Sequence, residues 1–534
     1  MFKQLLMGVN ARNRTSVTPL QLTLFALLFA LSTGGSCYYV SNQNAYFIHG
    51  LKLAGDNFLA GDWLASLPSP LPVFDQILRL LYITMGEKGF LVGYVFSMGV
   101  LGFGLMAISL RTFPLHRSVV QLGLFLVGLQ FIFSALFSKL LIMATVTSKG
   151  QLLFTSGMAW QRLTTTGFEP ASFGVGLVVA LYLFISHRVY AAVFVTLLTC
   201  TLHTGLLLTS SLTVAAFLWI LWREKGWSWR RLIGLMLFAA LFIAPVVIYV
   251  VINFGGESAE ITQRARAFLA FKYIPYHVDA RYWVSWETAW YLFLMTTATY
   301  LVGRGTLRSF FLMLLLLGGG LSVVQYITRD PLLGLMFPWR ASSYLVPLSS
   351  ALILAWIVDR LPQMAPGLFK KSRRRAMLGV LLVFSMLLVG SGLYRMQSAV
   401  QQGEQGPDVD LMRHIRQHRT ALDHYLVPQT QPMDRLRLYA GVPVYVNAKS
   451  HPFGNQAVLT WWDRGERVKA FYGQLPAGGC FSPEEVQEAF GVTHVVVETE
   501  KRLQCPKRCE SYRNTDYVLY ALAQCVGSGE PVNR

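Results

Sequence analysis

Charge is what this chain has least of. Only 14% of its 534 residues are Asp, Glu, Lys or Arg, while 54% are hydrophobic; a soluble domain carries about 25% charged residues. Acids are the scarcer sign, 27 against 46 bases, leaving a formal charge of +19. That excess does not point to nucleic acid. It lies in short loops among apolar runs, no recognisable binding module accompanies it, and from about residue 397 acids and bases nearly balance. A cleavable signal peptide is not expected, because Met1 to Thr18 is polar and basic and no clean small-residue cleavage site follows the first apolar run. Walker-type loops and lipase-type nucleophile elbows are missing. So are a clear internal repeat and more than a few charges inside the apolar runs, the marks of a transporter or flippase.

What is abundant is apolar sequence in lengths near 20 residues, as transmembrane helices require. Runs fall near 18–39, 89–110, 119–145, 171–186, 189–222, 232–253, 286–302, 309–327, 341–358 and 377–395. The run 189–222 would be about 50 Å long as one helix, against a hydrocarbon core of about 30 Å. It is interrupted at His203-Thr204-Gly205, so two short helices are expected there, and about eleven crossings in all. Lys3, Arg12 and Arg14 put the N-terminus in the cytoplasm. Strict alternation then brings every basic loop to that side: Arg111 and Arg117, Arg188, Arg223 to Arg231, Arg304 and Arg308, and Lys370 to Arg375. Reading 189–222 as one helix would break that agreement. The opposite, extracytoplasmic side receives residues 40–88, 146–170, 254–285, 328–340 and the tail from about 397. Function is more often built on such long loops than on short turns.

The tail reads as a separate α/β domain of about 135 residues. Asp408 to Arg419 looks helical, and SPEEVQEAFG (482–491) is a helix with Ser482 as N-cap, Pro483 in its first turn and Gly491 at its end. YLVP (425–428), RLYAGVPVYVN (437–447), THVVVETE (493–500) and DYVLYAL (516–522) read as strands. Four of the six cysteines lie here, Cys480, Cys505, Cys509 and Cys525. Outside the cytoplasm they are expected to form two disulfides. Free thiols and a four-thiolate zinc site are the alternatives, but CPKRC is loose for a zinc knuckle and has no second close pair.

The segment NQNAYFIHGLKLAGDNFLAGDW, residues 42–63, follows the first apolar run. Phe47, Leu51, Ala54 and Phe58 share a helical face and Gly55 could end the helix, so the segment would lie in the membrane interface with its apolar face down. Asp56 and Asp62 would then stand near the membrane surface, although both also suit turn or helix caps.

Asn42-Gln43-Asn44-Ala45-Tyr46, a helix, and then Gly61-Asp62-Trp63 resemble the first external loop of lipid-linked-sugar glycosyltransferases of the GT-C fold, in their aminoarabinose and protein-mannosyl transferase branch. That branch often reads Asp-Glu-x-x-Tyr-Ala, a helix, then Gly-Asp-Trp. The close part of the resemblance covers some 20 residues. The chain is also similar to a group of uncharacterised bacterial multi-pass proteins sharing His-x-Gly, Lys-Ser-His-Pro and Trp-x-Arg, here His203-Thr204-Gly205, Lys449-Ser450-His451-Pro452 and Trp462-Asp463-Arg464. The resemblance implies a base on the first aspartate of the loop. Asn42 stands there, and an amide lacks the basic lone pair of a carboxylate. Asp62 is the expected substitute and Asp56 the next.

A polyprenyl-phosphate donor also needs cations for the leaving phosphate. Arg162, Arg264, Arg266, Arg281, Arg340 and Lys449 are candidates, with Asn42, Tyr46, Trp63, His203, His451 and Arg464 as further substrate contacts. Arg340, Lys449 and Arg464 equally fit anchoring or surface roles, and His203 could cap a helix break. His414 and His418 have metal-compatible spacing but no visible third ligand, and Glu169 and Asp330 are weaker carboxylates. No cofactor is firmly indicated; a divalent metal is the alternative. The expectation is therefore a membrane all-α multi-pass bundle, GT-C-like, over 1–396, with an extracytoplasmic α/β domain over 397–534, in a bacterial inner membrane. It would move a sugar from a polyprenyl-phosphate carrier to a glycan, lipid or protein acceptor. A non-catalytic partner in polysaccharide assembly, a glycan polymerase or ligase, and a flippase are the rivals.

Overall fold

The computed structural model describes residues 17–35, 38–145, 152–165, 167–475, 479–501 and 503–526. Lys3, Arg12 and Arg14 lie outside the described residues. The chain divides into two compact units, neither continuous in sequence. The first comprises 1–35, 91–249 and 266–397; the second comprises 36–90, 250–265 and 398–534.

The first unit is helical. Each apolar run of the sequence falls on a helix, from Pro19–Thr33 and Lys88–Thr112 through Trp229–Phe254 to Thr306–Thr328, Ser342–Met364 and Arg374–Gly403. Among the described residues six helices are long and apolar enough to cross a membrane, and four shorter apolar helices accompany them. The protein is thus a multi-pass membrane protein. The long run breaks where His203 interrupts it: Val189–Leu202 ends, His203 is extended (φ −145°, ψ 95°), and Leu207–Arg223 follows a short 3-10 turn. With no hydrophobic drive between helices in lipid, close approach and polar bonds hold such a bundle. Phe184, Phe217 and Phe310 stack at 4.0 and 5.6 Å between centroids. Gln130 donates to the Leu28 carbonyl (3.1 Å) and accepts from Ser385 (2.7 Å).

The second unit carries the small sheet. Its strands are β1 (Tyr425–Leu426), β2 (His494–Glu498), β3 (Glu510–Arg513) and β4 (Tyr517–Ala521), in the order β1-β2-β4-β3. β1 and β2 are parallel, and the other pairs antiparallel, with Val496 opposite Leu519. Helices Pro407–His418 and Pro483–Phe490 form as expected, the second with Ser482 Oγ accepting from Glu485 N and Gly491 at φ 62°. Disulfides join Cys480 to Cys505 and Cys509 to Cys525. Among the described residues no cluster of three or more His, Cys, Asp or Glu could hold a metal ion.

Two local readings are corrected. RLYAGVPVYVN is not a strand: Arg437–Gly441 is a wide helical turn, and only Val444 bridges to Tyr425. Its apolar alternation reflects burial on every side, not one face of a sheet. The segment 42–63 is also not one interfacial helix. It forms Gln43–Tyr46, Ile48–Leu53 and the 3-10 turn Asn57–Gly61, with Gly55 at φ 104° between the last two. Its apolar face is spent inside the protein, since Phe47, Ile48 and Leu51 are buried and Phe47 lies 4.7 Å from the Phe90 ring and 6.1 Å from Phe74. Helix Pro72–Met85 supplies that cover, and a Cβ on Gly50 would collide with Leu78.

Candidate functional site

In the second unit the 42–63 segment is gripped by the tail. Asp62 starts the helix Trp63–Ser66 and accepts from Leu64 N (2.9 Å) and Ala65 N (3.1 Å), as an N-cap does. Its other oxygen accepts from Arg437 Nε (2.8 Å) and Val444 N (3.1 Å). The carboxylate is 0% exposed and Arg437 2%. Arg437 completes its bonds on the Val444 carbonyl (2.9 Å) and Asn447 (3.4 Å). An acceptor hydroxyl has no open approach to such a carboxylate. Asp56 is more accessible. It accepts from Phe58 N (3.3 Å), and the Arg419 guanidinium lies 3.8 Å away. Burial raises its pKa and Arg419 opposes the rise.

Further contacts repeat the pattern. Ser450 Oγ donates to the Asn44 carbonyl (2.6 Å), and Tyr46 packs on Phe453 (5.7 Å). Arg464 covers Trp63 (4.3 Å) and donates to the Tyr445 carbonyl (3.3 Å). Lys449 is held through its backbone N–H, which donates to Asp434 (3.1 Å). His451 lies beside Phe453 (5.1 Å) and Trp461, and burial pushes its pKa down to about 4. Asn42 is half-buried and its carbonyl, not its side chain, starts the Gln43–Tyr46 turn. The candidates Asn42, Tyr46, Asp56, Asp62, Trp63, Lys449, His451 and Arg464 therefore belong to one unit, in which aromatic packing and saturated polar bonds hold Asp62, Tyr46 and Trp63.

The first unit offers space instead. A cavity of about 300 Å³ is almost wholly apolar, walled by Met158, Met295, Leu314, Val323, Trp283 and Trp339. A second cavity, of about 230 Å³, is polar and also borders Trp283; Arg162, Trp160, Tyr282, Ser285, Glu287 and Tyr291 line it. Trp283 and Trp339 lie 4.5 Å apart, 7% and 3% exposed, and both indole N–H groups lack a hydrogen-bond partner. Buried donors normally find an acceptor, so two unpaired indole N–H groups side by side are a marked departure. The turn beside them is strained, with Ala159 and Trp160 at φ 54° and 59°. Burial lowers the pKa of Arg162, and Glu169 counteracts it; the guanidinium remains charged at any physiological pH.

Of the other candidates, Arg340 and His203 brace the helix break of the first unit. Arg340 donates from Nε to Gln161 (2.6 Å) and from Nη1 to the Gly205 carbonyl (2.6 Å), and stacks on Phe337 (4.3 Å). His203 is buried beside it: a Cβ on Gly205 would meet both residues. Arg281 pairs with Asp279 (2.9 Å). Arg264 is exposed and Arg266 half-buried on helix Ala259–Phe268, and neither lines the two cavities. Sequence reasoning did not single out Arg437, Arg419, Glu287, Trp283 or Trp339. The density of Trp and Arg in the loops was the signal for the last two, and nothing local marked Arg437.

A family model described as "Domain of unknown function (DUF6798)" matches residues 407–468. That stretch contains Arg419, Arg437, Lys449, His451 and Arg464. No curated protein matches the chain. Two solved structures are similar along nearly the whole length, both ArnT from Cupriavidus metallidurans. The one bound to undecaprenyl phosphate is 14% identical, with 94% of this chain and 97% of that chain covered and a TM-score of 0.47. The apo form is also 14% identical, with 95% and 98% covered and a TM-score of 0.46.

Proposed function

We propose that this protein is a membrane glycosyltransferase that takes a sugar from a polyprenyl-phosphate carrier and passes it to a glycan, lipid or protein outside the cytoplasm. The observation that carries the reading is the pair of cavities meeting at Trp283. An isoprenoid tail needs an apolar channel, its phosphate needs a fixed cation and donors, and here an apolar cavity borders one lined by Arg162, beside two unpartnered indole N–H groups. The likeness of residues 42–63 to the first external loop of lipid-linked-sugar transferases supports the same donor class. The two disulfides support an extracytoplasmic setting for residues 397–534, with the basic loops facing the cytoplasm of a bacterial inner membrane. Asp62 is read as the counter-ion of Arg437, which leaves Asp56 as the accessible carboxylate of the opening segment.

The test uses the full-length protein in lipid nanodiscs and undecaprenyl phosphate as probe, with binding read by native mass spectrometry. Wild type should bind and Arg162→Gln should bind at least about tenfold more weakly, as loss of a charge-assisted phosphate contact implies. Equal binding by both would remove Arg162 from the site, and no binding by wild type would overturn the donor reading. A second reading, a non-catalytic partner in polysaccharide assembly, is favoured by one observation: Asn42 is an amide and Asp62 is enclosed. Binding of the probe without release of any sugar from lipid-linked intermediates would move that reading ahead.

A further inference from the structure

Among the residues lining the polar cavity one is a carboxylate, Glu287, and neither the opening segment nor the tail contributes to that lining. It lies in the first turn of helix Trp286–Leu301, whose N-cap Ser285 accepts from Thr288 N (3.4 Å). Tyr291 is one turn further along the same face and lines the same cavity as Glu287 and Arg162. A cation and a carboxylate thus line one cavity. A carboxylate beside a phosphate site is electrostatically unfavourable for simple phosphate binding, because like charges repel. It is useful where a hydroxyl must lose a proton as a phosphate departs.

We propose that Glu287 is the proton acceptor of the transfer, a role that the amide of Asn42 cannot fill. The proposal rests on the lipid-phosphate reading of the same cavities. In the step, the acceptor hydroxyl oxygen attacks the anomeric carbon and a new C–O bond forms there. The bond from that carbon to the phosphate oxygen breaks, and its electron pair leaves with the lipid phosphate, whose charge Arg162 meets. The hydroxyl proton passes to the Glu287 carboxylate and from there to solvent. No oxidant, reductant or metal enters the balance. The position is structurally tolerant of the role: a helix first turn suits an anion, so the carboxylate stays on a rigid element when Arg162 engages the phosphate.

The experiment separates this inference from the reading beneath it. Wild type, Glu287→Gln and Glu287→Asp are placed in nanodiscs with a lipid extract from a deletion strain, where undischarged carrier collects. Conversion of lipid-linked sugars to undecaprenyl phosphate is followed by mass spectrometry as a function of extract concentration, and binding of undecaprenyl phosphate alone is measured in parallel. Glu287→Gln should bind the probe at least as well as wild type, which also reports that it is folded. Its maximal rate should fall on the order of 10²-fold or more, the usual contribution of a general base, with half-saturation little changed. Glu287→Asp should recover part of the rate. A full maximal rate in Glu287→Gln, or a rise in half-saturation at unchanged maximal rate, would overturn the proposal, the latter because it marks a sugar-holding role. If wild type binds no undecaprenyl phosphate, the reading fails first and this inference falls with it.

Discussion

Two sets of opposite charges stand in very different surroundings in this protein. In the second unit, Asp62 and Arg437 meet at 2.8 Å with 0% and 2% exposure, and backbone groups take up their remaining bonding capacity. In the first, Arg162 and Glu287 line one cavity of about 230 Å³. The former pair is complete without any ligand. The latter faces space that a ligand could fill. The difference teaches that a conspicuous aspartate in a motif is no guide to chemistry until its surroundings are known: the acid in Gly-Asp-Trp secures a fold, and the acid of an unremarkable Ser-Trp-Glu stretch borders the cavity.

That contrast breaks most visibly at the buried pair. Asp62→Ala or Arg437→Met strands a charge in the interior, which costs about 3–5 kcal/mol. Protease susceptibility of residues 398–526 across a denaturant series should rise sharply for both variants, while Arg162→Gln leaves the midpoint nearly unchanged. If Asp62→Ala unfolds no more easily than Arg162→Gln, the assignment of the pair as structural is lost.

A smaller effect comes from Asp75, on the helix that covers the opening segment. It is 2% exposed, one carboxylate oxygen has no partner, and burial raises its pKa from 3.8 to about 7, against the opposing bond from Ser69. The folded state therefore holds a proton that the unfolded state has released between pH 3.8 and about 7. Its contribution is full below pH about 4 and is lost as pH rises toward about 7. Asp75→Asn should flatten that fall and raise stability at pH 8 by on the order of a few kcal/mol. Unfolding midpoints of wild type and variant from pH 4 to 8 check it, and parallel curves would refute it.

The smallest change is expected at the surface of the grip. Arg464→Ala removes the guanidinium over Trp63, worth about 1 kcal/mol. A midpoint shift of that size would sharpen the view that the tail secures the loop by many modest contacts around one strong pair.

Much of the fold was legible because its signals are local. Runs of apolar residues become helices wherever lipid or core surrounds them, and the break at His203 is written in its own three residues. Ser482, Pro483 and Gly491 delimit a helix by capping chemistry alone. The misread strand has a plain cause, that burial on all sides carries no reliable period. RLYAGVPVYVN alternates like a strand yet turns so that Arg437 donates to its own Val444 carbonyl and to Asp62. Helix Asn455–Gln474 was missed because its polar residues dilute the apolar stripe. The site was less legible still. Arg162 was named from chemistry, but Glu287 and the tryptophans acquire meaning only when residues near 160, 283 and 339 converge.

The union of Asp62 with Arg437 spans 375 positions of sequence. During synthesis the aspartate emerges early, and its partner follows only after the last long apolar helix has been made. Until then the growing chain carries an acid with no mate, and the segment around it cannot close. Completion of this unit is therefore a late event in synthesis, because the Asp62 carboxylate gains its guanidinium partner only once residue 437 has been made.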